Sequence, residues 1–160
     1  MALLLHYTGQ DYISRGLLNT QLTPGSTSAI VGGCKTGKGF AFDGTVNSTL
    51  STSIIVDDSI NQSFSFWFSF TGTGTQQTIL SVQGSTTGIS NTRLLIRRNN
   101  TNGLSVGQRI VPSQTYTYTN SPIQFDTNTW HHATFILKEL ESKIDIYING
   151  VYSFTHSWTG

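Results

Sequence analysis

The sequence predicts an all-β protein, a two-sheet antiparallel jelly-roll β-sandwich with no substantial helix, and three observations carry that reading. Apolar residues recur with period two in several short runs, the alternation that a strand with one buried face requires. Turn signals built from Gly, Asn, Asp and Pro separate those runs at the spacing of a sandwich. Only 11% of the 160 residues are charged, and the polar remainder is Ser, Thr, Asn, Gln and Gly, which suits exposed strand faces and turns and disfavours long helices. The length fits a single domain, residues 1–160, large enough for a sizeable core.

Taken in order, Leu3 to Tyr7 is apolar and β-prone and reads as a first strand. It lacks the basic start and small-residue cleavage site of a secretion signal. The segment from Thr8 to Gly33 is rich in turns, with Thr23-Pro24-Gly25-Ser26 the clearest, and holds short extended pieces near Leu17–Leu22 and Ala29–Val31. Strands are expected at Phe40–Asp43 and Ser51–Val56. In Ser63–Phe70, Phe64, Phe66, Phe68 and Phe70 alternate with Ser63, Ser65, Trp67 and Ser69, so the four Phe belong in the core. Thr78–Val82, Thr92–Arg97 and Leu104–Val106 follow, and the Thr/Tyr stretch Ser113–Asn120 leads through Pro122 to Phe125.

The last third is the most sharply patterned. From Trp130 to Glu139 the even positions His132, Thr134 and Ile136 oppose the odd positions His131, Ala133, Phe135 and Leu137. The turn Glu139-Leu140-Glu141-Ser142-Lys143 reverses the chain into Ile144, Ile146 and Ile148 alternating with Asp145, Tyr147 and Asn149. Asn149-Gly150 then signals a two-residue hairpin, because both central residues of a type I′ turn take positive φ. Three antiparallel strands in succession result, the last being Val151–Ser157.

These runs carry a family resemblance. Trp130-His131-His132 followed by an apolar strand, and then Ile146-Tyr147-Ile148-Asn149-Gly150-Val151, resemble the "WHH…, LYVNG" signature of laminin-G-like domains in the concanavalin A-like lectin/glucanase superfamily. Gly39-Phe40-Ala41-Phe42-Asp43-Gly44 resembles its "G-x-A-L-x-FDG" strand, and Ser63–Phe68 its "FTISFWV" strand, in the same chain order. The resemblance implies a concanavalin A-like sandwich. It implies no single activity, since lectins, adhesins, glycanases and structural modules share that fold. It also implies a further strand beside the first one. With the sequence ending at Gly160, the edge at Leu3, Leu4 and Leu5 is expected to be covered by another chain, in a homo-oligomer or larger assembly; the alternative is that Val151–Ser157 closes it.

Composition narrows the partners. A net charge of +1 with no basic stripe gives no reason to expect nucleic acid, and no apolar run is long enough for membrane insertion by a helix. Lone Cys34 forms no internal disulfide. The sequons at Asn47, Asn61 and Asn99 read as chance in an Asn/Thr-rich chain without a secretion signal.

The glycanases that share the implied fold use two Glu on one strand with carboxyls about 5 Å apart. The comparable pair here, Glu139 and Glu141, falls in a turn and reads as solvated charge, so no residue is assigned a catalytic role. His131 and His132 point to opposite faces of a strand and cannot chelate one ion. His6 and His156 show no partner in sequence. No cofactor is expected; calcium is the one ion to consider, with Asp57 and Asp58 as weak candidates and Asp43 and Asp126 as turn caps. Sugar recognition needs an aromatic platform and planar polar groups. Tyr116, Tyr118 and Trp158, with Asn99, Asn100, Asn102 and Gln114, supply them, whereas oligomer interfaces use the same residue types. Trp67 and Trp130 are assigned to packing.

The expected role is a non-catalytic structural or accessory protein of a larger assembly, a phage or virus surface component of decoration or fibre type with glycan-binding activity. The alternative is a stand-alone lectin-like module, with a glycoside hydrolase a distant third. Localisation follows as the virion surface, or otherwise a soluble chain without a secretion signal.

Overall fold

The computed structural model describes residues 23–27, 29–35, 37–43, 50–51, 61–72, 75–83, 92–109 and 116–158. The strand readings at Leu3–Tyr7 and Leu17–Leu22, and most of Ser51–Val56, lie outside the described residues. The chain divides into two compact units, Met1–Ile54 and Ile55–Gly160. In the first unit β1 (Thr23–Pro24), β2 (Ala29–Cys34), β3 (Gly37–Ala41) and β4 (Leu50–Ser51) form two antiparallel pairs, β1 with β4 and β2 with β3.

In the second unit the described residues form β5 (Gln62–Phe68), β6 (Gln77–Gln83), β7 (Thr92–Arg98), β8 (Leu104–Arg109), β9 (Tyr116–Asn120), β10 (His131–Lys138), β11 (Lys143–Ile148) and β12 (Val151–Ser157). One sheet has the order β12-β11-β10-β5 and the other is the meander β6-β7-β8-β9, every neighbouring pair antiparallel. No α-helix occurs among the described residues; a single 3-10 turn, Glu139–Glu141, joins β10 to β11. The two four-stranded sheets make the expected all-β sandwich.

Alternation sets the core. Ala133, Phe135, Ile144, Ile146 and Phe154 face inward from one sheet, and Leu94, Ile96, Leu104 and Val106 from the other, in one buried cluster. Phe135 is fully buried and stacks on Phe64 at 5.0 Å and Phe66 at 5.6 Å, across the register pairs Phe135↔Phe64 and Ala133↔Phe66. All four Phe of the Phe64–Phe70 run join this cluster, as the sequence requires. Trp67 alternates to the outer face, where it packs against His132 at 5.0 Å yet stays 42% exposed, so its assignment to packing holds only in part.

Both predicted turns form. Asn149 and Gly150 take φ of 51° and 82°, and Asn149 is bound at both ends to His132: its N–H donates to the His132 carbonyl and its side-chain oxygen accepts from the His132 N–H. The register between β11 and β12 shifts once, after the pair Tyr147↔Tyr152, leaving Ser153 as the extra residue of a bulge. At the other turn Lys143 pairs with Glu141.

His156 joins the two sheets. It faces inward from β12, has no exposed surface, and shares a 2.9 Å hydrogen bond through Nδ1 with Thr119 Oγ1 of β9. Burial penalises its charged form and holds its pKa below the ordinary imidazole value. The unfolded chain therefore binds a proton near pH 6.5 that the folded chain refuses. Stability is full above that pH and falls as pH drops towards the lowered folded-state value. Thermal melts at pH 7.5, 6.5 and 5.5 are expected to show a falling Tm, and His156→Leu is expected to flatten that slope. An unchanged slope in the variant would remove His156 as its source.

Candidate functional site

The outer face of the meander is built by the same alternation that fills the core. On β7, Leu94, Ile96 and Arg98 turn inward, so Leu95 and Arg97 turn outward. On β8, Leu104 and Val106 turn inward, leaving Ser105 and Gly107 outward; on β9, Thr119 is inward, leaving Tyr118 and Asn120 outward. Register aligns these positions into two rows. Thr78, Arg97, Ser105 and Asn120 form one polar row across all four strands, and Leu95, Gly107 and Tyr118 form the next.

Tyr118 reaches out of its row. Gly107 opposite it has no side chain, and the ring lies across that strand where a Cβ would meet its Cδ1 and Cε1 at 2.4 Å. The Arg97 guanidinium stacks over the ring at 3.7 Å. Arg97 Nη1 donates to Gln76 Oε1 at 3.2 Å, and Ser105 Oγ donates to Asn120 Oδ1. The result is a guanidinium above an aromatic ring, bound to the Gln76 amide, with the exposed Thr78 and Asn120 in the same row and the buried Ser105 hydroxyl holding Asn120. That set can bind planar acceptors and sugar hydroxyls.

Among the residues expected from sequence, Tyr118 alone is shown in this cluster. Tyr116 occupies β9 in register with Arg109. Asn102 turns the other way: with φ of 59° it accepts from Nε and Nη2 of Arg98, the inward neighbour of Arg97. Arg98 is 2% exposed, and it also bonds the Gly72 carbonyl and Gln77 while resting over Phe70 at 4.7 Å. Asn99 closes its own loop on Thr101 and Gly103, and Asn100 is exposed at the loop's tip. Trp158 is half-buried against the core, its ring 6.2 Å from that of His156, and its backbone N–H donates to the Ser142 carbonyl. Asp57, Asp58, Gln114 and the edge Leu3, Leu4 and Leu5 lie outside the described residues.

The other candidates resolve locally. His131 packs inward on Phe125 at 4.8 Å while His132 lies outward on Trp67, so the two rings are on opposite faces. Asp43 accepts from Thr27, and Asp126 is exposed. Among the described residues no three His, Cys, Asp or Glu side chains gather into a metal-binding group. No helix of the described residues is long and apolar enough to cross a membrane. On the first sheet's outer face Asp145 is held below the ordinary carboxylate range by its hydrogen bonds, first to Lys138 at 2.7 Å and then to Thr155 at 2.6 Å.

Arg97, Gly107, Ser105, Asn120 and Gln76 were not singled out in sequence. The adjacent pair Arg97-Arg98 carried a usable signal, because neighbours on a strand face opposite ways. Its pairing with Tyr118 across β8 becomes visible only with the register.

Known proteins give two points of comparison. A laminin-G-type family model, described as the concanavalin A-like lectin/glucanases superfamily, matches residues 42–160. Among solved structures, the chain is similar to the CBM40 of Ruminococcus gnavus IT-sialidase bound to α2,3-sialyllactose, with 14% identity and a TM-score of 0.50. The match covers 62% of this chain and spans about half of that one, 54%, and the likeness is one of fold. No curated protein matches the chain.

The glycine beneath Tyr118 is testable on its own. In Gly107→Ala the ring must move off the strand, taking its shielding from the Arg97 side chain. The Arg97 side-chain NMR resonances are expected to shift as they do in Tyr118→Ala, with stability within about 1 kcal/mol of wild type because the ring's end is partly exposed. Unmoved Arg97 resonances would show that Gly107 does not set the stack.

Proposed function

The chain belongs to the concanavalin A-like lectin/glucanases superfamily, and from that premise we propose that it is a non-catalytic glycan-binding protein whose binding face is the outer surface of β7, β8 and β9. The observation that carries this reading is the Arg97–Tyr118 stack laid over Gly107, with Gln76, Ser105 and Asn120 around it. Planar donors and acceptors on a rigid sheet suit a sugar's ring of hydroxyls. The similar CBM40 is bound to α2,3-sialyllactose, which supports glycan binding on this fold. The non-catalytic reading is supported by the fate of the turn carboxylates: Glu141 sits in the 3-10 turn, tied to Lys143, its pKa lowered chiefly by that hydrogen bond. A raised pKa would suit a general acid instead.

A glycan array is expected to give hits with the wild-type chain. Tyr118→Ala is expected to weaken the best of them at least tenfold, about 1.4 kcal/mol. Binding that survives Tyr118→Ala undiminished would place the site elsewhere, and a blank array would end the glycan reading.

We further propose that this activity serves a larger assembly, as a decoration or fibre component of a phage or virus surface. The low charge and the Ser/Thr/Asn/Gly-rich composition support it, as do the large apolar side chains standing out from the first sheet: Trp67, Tyr152 at 55% and Val151 at 70% exposure. Light scattering at micromolar concentration is expected to give an oligomer. A monomer would favour the stand-alone lectin-like module.

A further inference from the structure

We propose that the Arg97 site selects glycans carrying a carboxylate sugar, with the guanidinium as the specificity-determining contact. The proposal rests on the glycan-binding reading and names its substrate class. It starts from the contrast between two neighbouring arginines. Arg98, turned inward, is satisfied by this chain: Asn102 twice, the Gly72 carbonyl, Gln77, and the Phe70 face. Arg97, turned outward, has one side-chain hydrogen-bond partner among the described residues, Gln76 at 3.2 Å. Its Nε is buried without a hydrogen-bond partner, and no acidic side chain among the described residues pairs with it.

A lone arginine draped over an aromatic is common and ordinarily structural, its stem shielding apolar surface while its head is hydrated. Three features here go further. The guanidinium carbon sits 3.7 Å from the centre of the Tyr118 ring, which holds the charged head against the aromatic face. The ring can occupy that position only because residue 107 is glycine. The row through Arg97 continues as Ser105 and Asn120, bound to each other so that the exposed Asn120 amide is held in place. With no acidic partner among the described residues and its Nε buried, the guanidinium presents its Nη edge, which matches a planar carboxylate through charge-assisted N–H···O bonds, stronger than neutral ones. The exposed Asn120 amide and Thr78 then lie in the same row, where the hydroxyls of the same sugar need partners, while Ser105, fully buried, holds Asn120. A neutral sugar would bring no charge to the half-buried cation.

An array pairing carboxylate-bearing glycans (sialic acid or uronic acid terminated) with their neutral and sulfated counterparts tests this on the full chain, with titration calorimetry on α2,3-sialyllactose against lactose. Carboxylated members are expected to bind at least tenfold tighter than their neutral counterparts. Arg97→Gln should erase that difference while Arg97→Lys, which keeps the charge and loses the fork, retains part of it. Melting curves confirm that each variant is folded. Equal binding of acidic and neutral glycans, unaffected by Arg97→Gln but lost in Tyr118→Ala, would overturn the carboxylate inference and leave the glycan-binding reading standing. Preference for sulfated glycans alone would also overturn it. No binding to any glycan would remove both.

Discussion

A slip of one residue along β10 would turn Phe135 outward and bring His132 and Thr134 against the other sheet. The register of this strand is therefore the constraint on which the second unit depends. Three local features fix it. The stack of Phe135 on Phe64 and Phe66 rewards one pairing of β10 with β5. The type I′ turn at Asn149-Gly150 fixes the reversal into β12, and the two hydrogen bonds between Asn149 and His132 tie that turn back to β10. With those set, Ile144, Ile146 and Phe154 have one face available to them, and it is the buried one.

The same alternation gives adjacent residues opposite fates, and that is how a structural sheet acquires the proposed binding face. His131 and His132 show it on β10, one ring in the core and the other against Trp67. Arg97 and Arg98 show it with charge on β7. Burying Arg98 would be costly without compensation, and the loop Asn99–Gly103 supplies it through Asn102, whose positive φ aims the side chain at the guanidinium. Among the described residues Arg97 has Gln76 as its one side-chain hydrogen-bond partner. Chemistry that the interior must neutralise internally is, one residue away, what the proposed glycan would complete.

The fold was legible because its signals are local. The Phe64–Phe70 alternation, the Ile144–Ile148 alternation and the Asn149-Gly150 turn each depend on a few consecutive residues, and the family motifs lie on those same strands. The site was legible only where one residue advertised itself: Tyr118, through its place in a Thr/Tyr strand. Its companions come from β7 and β8 and meet it through pairings that no spacing in the sequence encodes. Gly107 is the extreme case. Its contribution is a missing Cβ, and a glycine in a polar strand gives no hint of what leans over it. Asn102 read as a ligand because exposed loop amides commonly are, but its position four residues after Arg98 gave it a nearer partner.

Strand β9 connects these observations. Its residue Thr119 points inward to His156, the hydrogen bond that ties the meander to the opposite sheet, while Tyr118 and Asn120 on either side point outward into the candidate site. The position of the ring beneath Arg97 is thus set by a strand anchored on both faces: by the ladder to β8 and by a buried polar bond across the core. A site mounted this way loses little freedom when it binds, because the groups that would meet the ligand are already held by the sandwich. The same bond marks where the sandwich is sensitive to acid: burial disfavours the charged form of His156, so protonating it costs stability at the strand that carries Tyr118 and Asn120.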